Sequence, residues 1–190
     1  MKYLFSSILY LLLASFTTTT TWKLDKAHSN MGFSVGHLSV SWIKGTFKIN
    51  DAKVVANGAD LTDAAITLEA DVNSIDTDND GRDKHLRTAD FFDTEKYPTA
   101  TFTSTSCKKT GDNKYSVAGE LEMHGIKKQI TLEMNVKTGI NPNNDKPITG
   151  IHVTGSIKRS DFGIATSTPK EILDDEVIIE ANLEFGILSE

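Results

Sequence analysis

The sequence has 190 residues, of which 38% are hydrophobic and 24% are charged. This size suits one domain, and the composition excludes a disordered chain, a collagen-like chain and a polytopic membrane protein. Lysine and arginine number 20 against 26 aspartates and glutamates, a formal net charge of -6, so the chain lacks the basic surface that nucleic-acid binding requires.

The first 21 residues have the pattern of an export signal. Lys2 precedes an apolar stretch from Leu4 to Phe16, and five threonines follow it. The stretch is shorter than the roughly 20 apolar residues of a membrane-spanning helix. We therefore expect a signal peptide over residues 1–21, cleaved between Thr17 and Thr21, and a mature domain over residues 22–190. The protein is expected to be periplasmic or secreted and not an integral membrane protein.

From Trp22 onward, apolar and polar residues alternate with a period of two, which predicts strands with one buried face. About eight such segments follow one another, from Met31–His37 near the start to Val177–Phe185 at the end. Turn-forming pairs such as His124-Gly125 separate neighbouring segments and predict antiparallel hairpins. Between residues 80 and 92 the alternation stops, and we expect one or two short helical turns there.

Eight antiparallel strands with one apolar face each can form a sandwich or a closed barrel, and the alternation alone does not choose between them. The apolar faces also carry small residues, which favour a barrel with an internal cavity. These are Ala70, Ser74, Ala100, Ser104, Gly119, Gly155 and Ala181. The alternative is that the glycines mark bends or bulges in a filled barrel.

Polar motifs offer weaker signals. Residues 76–81 match the first half of a calcium-binding loop, but Arg87 stands where the bidentate Glu should be. Arg159 and Asp161 share the inward parity of Ile157, which predicts a charged pair at the barrel mouth. The single cysteine, Cys107, excludes an intrachain disulfide and a cysteine-built zinc site.

The five histidines show no paired spacing typical of metal ligands. His37 ends an apolar face, where it is either a hydrogen-bonded core residue or a group that faces a ligand. The chain has no nucleophile elbow, phosphate loop or dinucleotide fingerprint. We therefore assign no catalytic residue, metal ligand or cofactor.

Motifs along the chain resemble those of the YceI-like family in type and order. They are Asp25-x-x-His28-Ser29, Ser74-Ile75-Asp76-Thr77, Arg82-Asp83-x-His85-Leu86, Asp90-Phe91-Phe92-Asp93, Tyr97-Pro98-x-Ala100-x-Phe102, Gly119-x-Leu121-x-Met123-His124-Gly125 and Arg159-x-Asp161-Phe162-Gly163. The resemblance covers residues 22–188, and thus nearly the whole predicted mature domain.

The resemblance implies an all-β fold, an extended eight-stranded antiparallel barrel of the lipocalin-like type, in a protein exported to the bacterial cell envelope. It also implies a long apolar tunnel that holds a polyisoprenoid or a similar amphiphilic chain, and it allows a homodimer. The predicted apolar lining is Phe33, Val35, Phe47, Leu68, Phe91, Phe102, Gly119, Leu121, Met123, Ile130, Phe162, Ala181 and Leu183. The predicted head-group contacts are His37, Arg82, His85 and Arg159.

Our first hypothesis is a non-enzymatic protein that transports, stores or sequesters an isoprenoid lipid or isoprenoid quinone, because burial of a long apolar chain is favourable in itself. One alternative is a quinone-linked redox accessory or enzyme that uses His37 or His85 to handle protons. A second alternative is a metal-binding module.

Overall fold

The computed structural model describes residues 19–58 and 60–187. Each strand pairs antiparallel with the next, and the last strand pairs with the first, so the sheet closes into a barrel. The strands are β1 Thr19–His37, β2 Ser41–Asn57, β3 Ala65–Asp76, β4 Thr99–Gly111, β5 Lys114–Met123, β6 Ile126–Asn141, β7 Lys146–Lys158 and β8 Leu173–Ile187. The predicted all-β, eight-stranded antiparallel fold is confirmed.

Two short helical elements interrupt the strand order. Helix α1 spans Asp80–Leu86, within the predicted helical region, and a 3-10 turn spans Arg159–Phe162 between β7 and β8. Asn79 caps α1, since its Oδ1 accepts a hydrogen bond from Arg82 N at 2.9 Å. Residues 76–81, which match the first half of a calcium-binding loop, therefore lead into α1 and cap its N-terminus. Neither described helical element is long and apolar enough to cross a membrane.

The predicted signal peptide lies mostly outside the described residues, which begin at Thr19. Thr19, Thr20 and Thr21 already belong to β1, where they pair with Asn57, Ala56 and Val55 of β2. The folded domain thus begins ahead of the predicted start at residue 22. Cleavage after Thr21 would remove these paired residues, whereas cleavage at Thr17 would keep them.

One end of the barrel, called the closed end here, is filled with side chains. It carries residues 60–64, ahead of β3, and the turns at residues 112–113 and 142–145. Large side chains such as Trp22, Tyr115 and Phe185 are buried there together with the Cys107 thiol. The opposite end, called the open end, carries α1, the Arg159–Phe162 turn and the turns after β1 and β5.

Bulges divide the barrel between these two ends. In β1 the register shifts between Lys23 and Met31, and inward residues change from Trp22 and Leu24 to Met31 and Phe33. Similar shifts occur in β2 after Ile49 and in β4 after Ser104. An extra residue reverses the alternation of faces, so both halves of each long strand keep their apolar residues inside.

The Asp25–Ser29 motif forms the bulge in β1, beside β8. Asp25 accepts hydrogen bonds from Ala27 N at 2.9 Å and pairs with His28 Nδ1 at 3.0 Å. Ser29 Oγ accepts a hydrogen bond from Glu184 N of β8 at 2.9 Å. These side chains replace the regular β1–β8 ladder where the register breaks. The motif therefore has a structural role in closing the barrel.

Several of the small inward residues fill space rather than create it. Ser74 Oγ accepts a hydrogen bond from Lys48 N at 2.7 Å, and Ser104 Oγ accepts one from Ile66 N at 2.8 Å. A Cβ on Gly119 would lie 2.4 Å from the Phe102 ring, and one on Gly155 would lie 2.5 Å from Leu132. At these four positions a neighbouring group occupies the space. Register shifts lie beside Ser74, Ser104 and Gly119 but not beside Gly155.

We expect Gly119→Ala to lower the free energy of unfolding by about 1–3 kcal/mol, because the new methyl group meets the Phe102 ring and a backbone oxygen. Gly186→Ala is the matched control, since nothing lies within 4 Å of its Cβ position. Urea unfolding measures both. Equal stability of the two variants would show that the space beside Gly119 is open.

The contact between Asp25 and His28 predicts a titration. It raises the pKa of His28 above 6.5, with a smaller contribution from Glu184, and lowers the pKa of Asp25 below 3.8. The contribution of His28 to the free energy of unfolding is complete below pH 6.5 and is lost as the pH rises through its raised pKa. The contribution of Asp25 is complete above pH 3.8 and is lost as the pH falls through its lowered pKa.

An NMR titration should therefore find the pKa of His28 above 6.5 in the native protein and close to 6.5 in the Asp25→Asn variant. Glu184→Gln should produce a smaller change, because Glu184 contacts the imidazole at the longer distance of 3.9 Å. An unchanged His28 pKa in Asp25→Asn would contradict the assigned cause.

Candidate functional site

The barrel encloses a large, partly open cavity of about 390 Å³. This volume lies within the roughly 300–1,000 Å³ of small-molecule sites. All eight strands, α1 and the segment from Arg159 to Leu173 contribute to its wall. Thirty of the 36 lining residues are apolar, and the other six are His37, Arg82, His85, Thr101, Arg159 and Thr168. The cavity therefore suits a hydrocarbon chain with a small polar end.

The cavity exists because inward side chains toward the open end do not meet across the barrel. Phe33, Phe47, Leu121 and Ile130 are only half-buried, although they point inward. Ala70, Ala100 and Ala181 line the same space with a single methyl group each. Of the seven small inward residues, the three alanines line the cavity, and the two serines and two glycines do not.

The structure places fifteen of the seventeen predicted site residues around this cavity, all except Gly119 and Phe162. The fifteen are Phe33, Val35, His37, Phe47, Leu68, Arg82, His85, Phe91, Phe102, Leu121, Met123, Ile130, Arg159, Ala181 and Leu183. Contact between these residues and a ligand stays a prediction.

Two residues predicted to line the cavity, Gly119 and Phe162, do not line it. The Phe102 ring covers the face of Gly119 that would otherwise border the cavity. Phe162 is 1% exposed and belongs to a separate cluster with Ile164 and Ala165. The chain leaves β7 at Arg159, so the strand alternation that made Phe162 a lining candidate no longer sets its direction.

Further lining residues were missed. Val153, Ile157, Val177 and Ile179 continue the inward alternation of β7 and β8, and this alternation could have identified them. Ile164, Thr168 and Ile172 also line the cavity, but they lie in the irregular segment before β8. No periodic pattern marks such residues.

Polar groups concentrate at the open end. Arg82 Nε donates to Thr77 Oγ1 at 2.7 Å, and its Nη2 donates to Thr77 O at 2.6 Å. Among the described residues, neither Arg82 Nη1 nor the His37 ring has a hydrogen-bond partner. Both groups line the cavity and can therefore bind an oxygen atom of a ligand.

Arg159 has a different role, although it also lines the cavity. It is 5% exposed and donates to five backbone oxygens, those of Ile164, Ala165, Thr168, Leu173 and Asp174. These bonds use all five N–H groups of a guanidinium. Asp161 is exposed, and Arg159 forms no ion pair within the described chain. The predicted Arg159–Asp161 pair is wrong, and Arg159 has no free donor for a head group.

Three further titratable side chains, His85, His124 and Cys107, contact other groups of the protein. His85 Nε2 lies 3.7 Å from Asp90 Oδ2, and its ring packs edge-on against Phe91. His124 Nδ1 lies 2.9 Å from Phe162 O and therefore carries the proton, since a carbonyl only accepts. Burial raises the pKa of the Cys107 thiol to about 11, which leaves it protonated and unreactive.

One cluster has the composition of a metal site. The ligand atoms of Asp25, His28 and Glu184 lie within 4.8 Å of one another on the outer surface. Both carboxylates approach the same His28 nitrogen, so an ion pair accounts for the arrangement. The cluster is far more exposed than a built metal site and gives no support to the metal-binding alternative.

Comparison with known proteins agrees with this geometry. Residues 22–185 match the YceI-like domain family. The chain belongs to this family. The YceI-like domain described here is 38% identical to Protein YceI of Escherichia coli O157:H7 over 161 residues, which is 83% of each chain.

Two solved structures resemble this YceI-like domain. One is BcnA of Burkholderia cenocepacia, with 27% identity, a TM-score of 0.73 and coverage of 85% of this chain and 98% of that chain. The other is described as a polyisoprenoid binding domain from Saccharophagus degradans, with 20% identity, a TM-score of 0.62 and coverage of 87% and 97%. The second likeness shows a shared fold.

For this YceI-like domain, we expect Arg159→Lys to lower the free energy of unfolding by at least about 2 kcal/mol, because an ammonium leaves two or more buried carbonyls without a donor. Arg87→Lys is the control, since half-buried Arg87 also donates to two backbone oxygens, Asn73 O and Ile75 O. Water can replace those bonds. Comparable losses in urea unfolding would argue against a special role of Arg159.

Proposed function

We propose that the protein binds the hydrocarbon chain of an isoprenoid lipid, such as a polyisoprenoid or an isoprenoid quinone, in the barrel cavity. In this proposal it transports, stores or sequesters the lipid in the cell envelope as a periplasmic or secreted protein. The observation that carries the proposal is the cavity of about 390 Å³ with an almost wholly apolar wall.

The wall fits a hydrocarbon chain for energetic reasons. Each Å² of apolar surface removed from water contributes roughly 25 cal/mol, so a long chain is bound without any specific polar contact. A polar ligand would lose its hydrogen bonds to water and find few partners along the strands. Among the described lining residues, Arg82 Nη1 and His37 offer free donors at the open end. The ligand is therefore oriented with its oxygen-bearing end toward the open end.

The choice of an isoprenoid over another lipid is supported by the relatives. The fold is shared with the Saccharophagus degradans domain, which is described as polyisoprenoid binding. In this proposal the methyl branches of the isoprenoid contact the aromatic part of the wall, at Phe33, Phe47 and Phe102.

Binding in this proposal involves no bond making or breaking. His37 and His85 line the cavity, so the purified protein should be tested for turnover of a bound quinone. A rate above buffer that is lost in His37→Ala or His85→Ala would replace the carrier function with the enzymatic alternative.

Native mass spectrometry of protein purified from its source tests the proposal directly. A co-purifying mass that matches an isoprenoid lipid is expected. Delipidated protein should then bind an added isoprenoid quinone and a polyprenol more tightly than a straight-chain fatty acid. A protein that purifies without lipid and binds neither isoprenoid would contradict the proposal.

A pair of alanine variants separates ligand binding from stability. Ala181→Phe directs a ring toward the cavity that Ala181 lines and should abolish isoprenoid binding. It should cost less free energy of unfolding than the control does, because part of the ring enters the cavity. Ala56→Phe is the control, since Ala56 is equally buried in the filled closed end. It should lose about 1–3 kcal/mol by overpacking.

Isotherms with delipidated protein and urea unfolding curves measure the two effects. If Ala181→Phe binds the isoprenoid as well as the original protein does, or loses as much free energy of unfolding as Ala56→Phe, then the hydrocarbon chain of the ligand does not lie beside Ala181.

A further inference from the structure

Large apolar side chains are exposed at the open end of the barrel, and we propose that they form a surface that docks on a phospholipid bilayer. Leu38 is 51% exposed, Val40 84%, Trp42 60% and Ile172 44%. We call these four residues the docking patch. The inference rests on the proposed function, because it assigns the patch to the exchange of the bound lipid with the membrane.

The docking patch borders the cavity. Leu38 N donates to Ile172 O at 3.0 Å, which joins the turn after β1 to the segment before β8. Ile172 itself lines the cavity, as do His37 and Ile43, the chain neighbours of Leu38 and Trp42. A hydrocarbon chain that leaves the cavity at this point therefore contacts the patch before it reaches open water.

The turn that carries the patch has an unusual sequence for its geometry. Leu38 and Ser39 have φ values of 52° and 57°, and Val40 N donates to His37 O at 3.2 Å. Hairpin turns with two positive φ angles favour Asn, Asp and Gly. Leu38 is unfavourable there and is half-exposed, so packing within the chain does not account for it. An apolar partner outside the chain does.

The chemistry around the patch fits a bilayer. Tryptophan favours the boundary between hydrocarbon and head groups, because its ring is apolar and its N–H is polar. Trp42 also lines a surface pocket with Lys44, Arg82 and the single carboxylate of Asp78. Two cations against one anion suit the phosphate of a phospholipid. The net charge of -6 disfavours broad attraction to an anionic membrane, so apolar insertion must supply the contact.

The closed end supplies a matched control. Ile140 is 60% exposed and Ile187 is 40% exposed at that end, and neither lines the cavity. The patch variant combines Leu38→Asn, Val40→Thr and Trp42→Thr, in which asparagine suits the positive φ better than leucine does. The control variant combines Ile140→Thr and Ile187→Thr.

The experiment compares two sources of ligand. Purified, delipidated protein is mixed with phosphatidylcholine and phosphatidylglycerol vesicles that contain an isoprenoid quinone, and the quinone on protein is measured over time after the vesicles are removed. In parallel, the quinone is added from ethanol without vesicles. We expect the patch variant to load from vesicles at least about tenfold more slowly than the original protein. Loading from ethanol, and both rates of the control variant, should be unchanged.

Tryptophan emission gives an independent measurement. Trp42 is exposed and Trp22 is buried in the closed end, so a blue shift on mixing with lipid-only vesicles reports contact at the patch. Equal vesicle loading by the patch variant and the original protein would overturn the proposal. Loss of a dimer in the patch variant at an unchanged loading rate would overturn it too and would identify a self-association surface. A protein that loads from neither source would contradict the proposed function instead.

Discussion

The pairing of β8 with β1 is the constraint on which the rest of the structure depends. It fixes the ring at eight strands, and a ring of this size is wide enough either to be filled by side chains or to hold one small ligand. The strands are long, up to the 19 residues of β1, so both outcomes occur in one barrel. Bulky residues such as Trp22 and Phe185 fill the closed end, while alanines such as Ala181 leave the other half open.

The open end needs support of another kind, because the segment from Ile164 to Ile172 belongs to no strand. Arg159 supplies it by donating to three carbonyls of that segment and to two at the start of β8, those of Leu173 and Asp174. Burial of a charge is costly unless its hydrogen bonds are satisfied, and here the backbone satisfies them. The same segment carries Thr168 and Ile172 into the cavity wall. The guanidinium thus shapes the site, and in the proposed function the ligand oxygen is bound by Arg82 and His37.

The strands and most of the cavity wall could be predicted because alternation in a strand determines which side chains point inward. Alternation does not determine which inward side chain occupies the space. Gly119 points inward, but the Phe102 ring from the neighbouring strand covers it. Phe162 and Arg159 lie beyond the end of β7, where alternation no longer applies. Phe162 therefore does not line the cavity, and the predicted Arg159–Asp161 pair does not form. The bulge in β1 also limits prediction from alternation. The side chains that point inward change parity within Asp25–Ser29, and no periodic pattern in the sequence marks this change.

The position of the docking patch matters for the rate of exchange more than for affinity. A hydrocarbon chain has similar surroundings in a bilayer and in an apolar cavity, so its transfer between them is close to balanced. The barrier lies in the water that separates the two, because each Å² of exposed chain costs roughly 25 cal/mol. A mouth flanked by Leu38, Trp42 and Ile172 shortens that exposed path when it touches the bilayer. Cavity and patch therefore belong at the same end, and a patch at the closed end would leave the barrier unchanged.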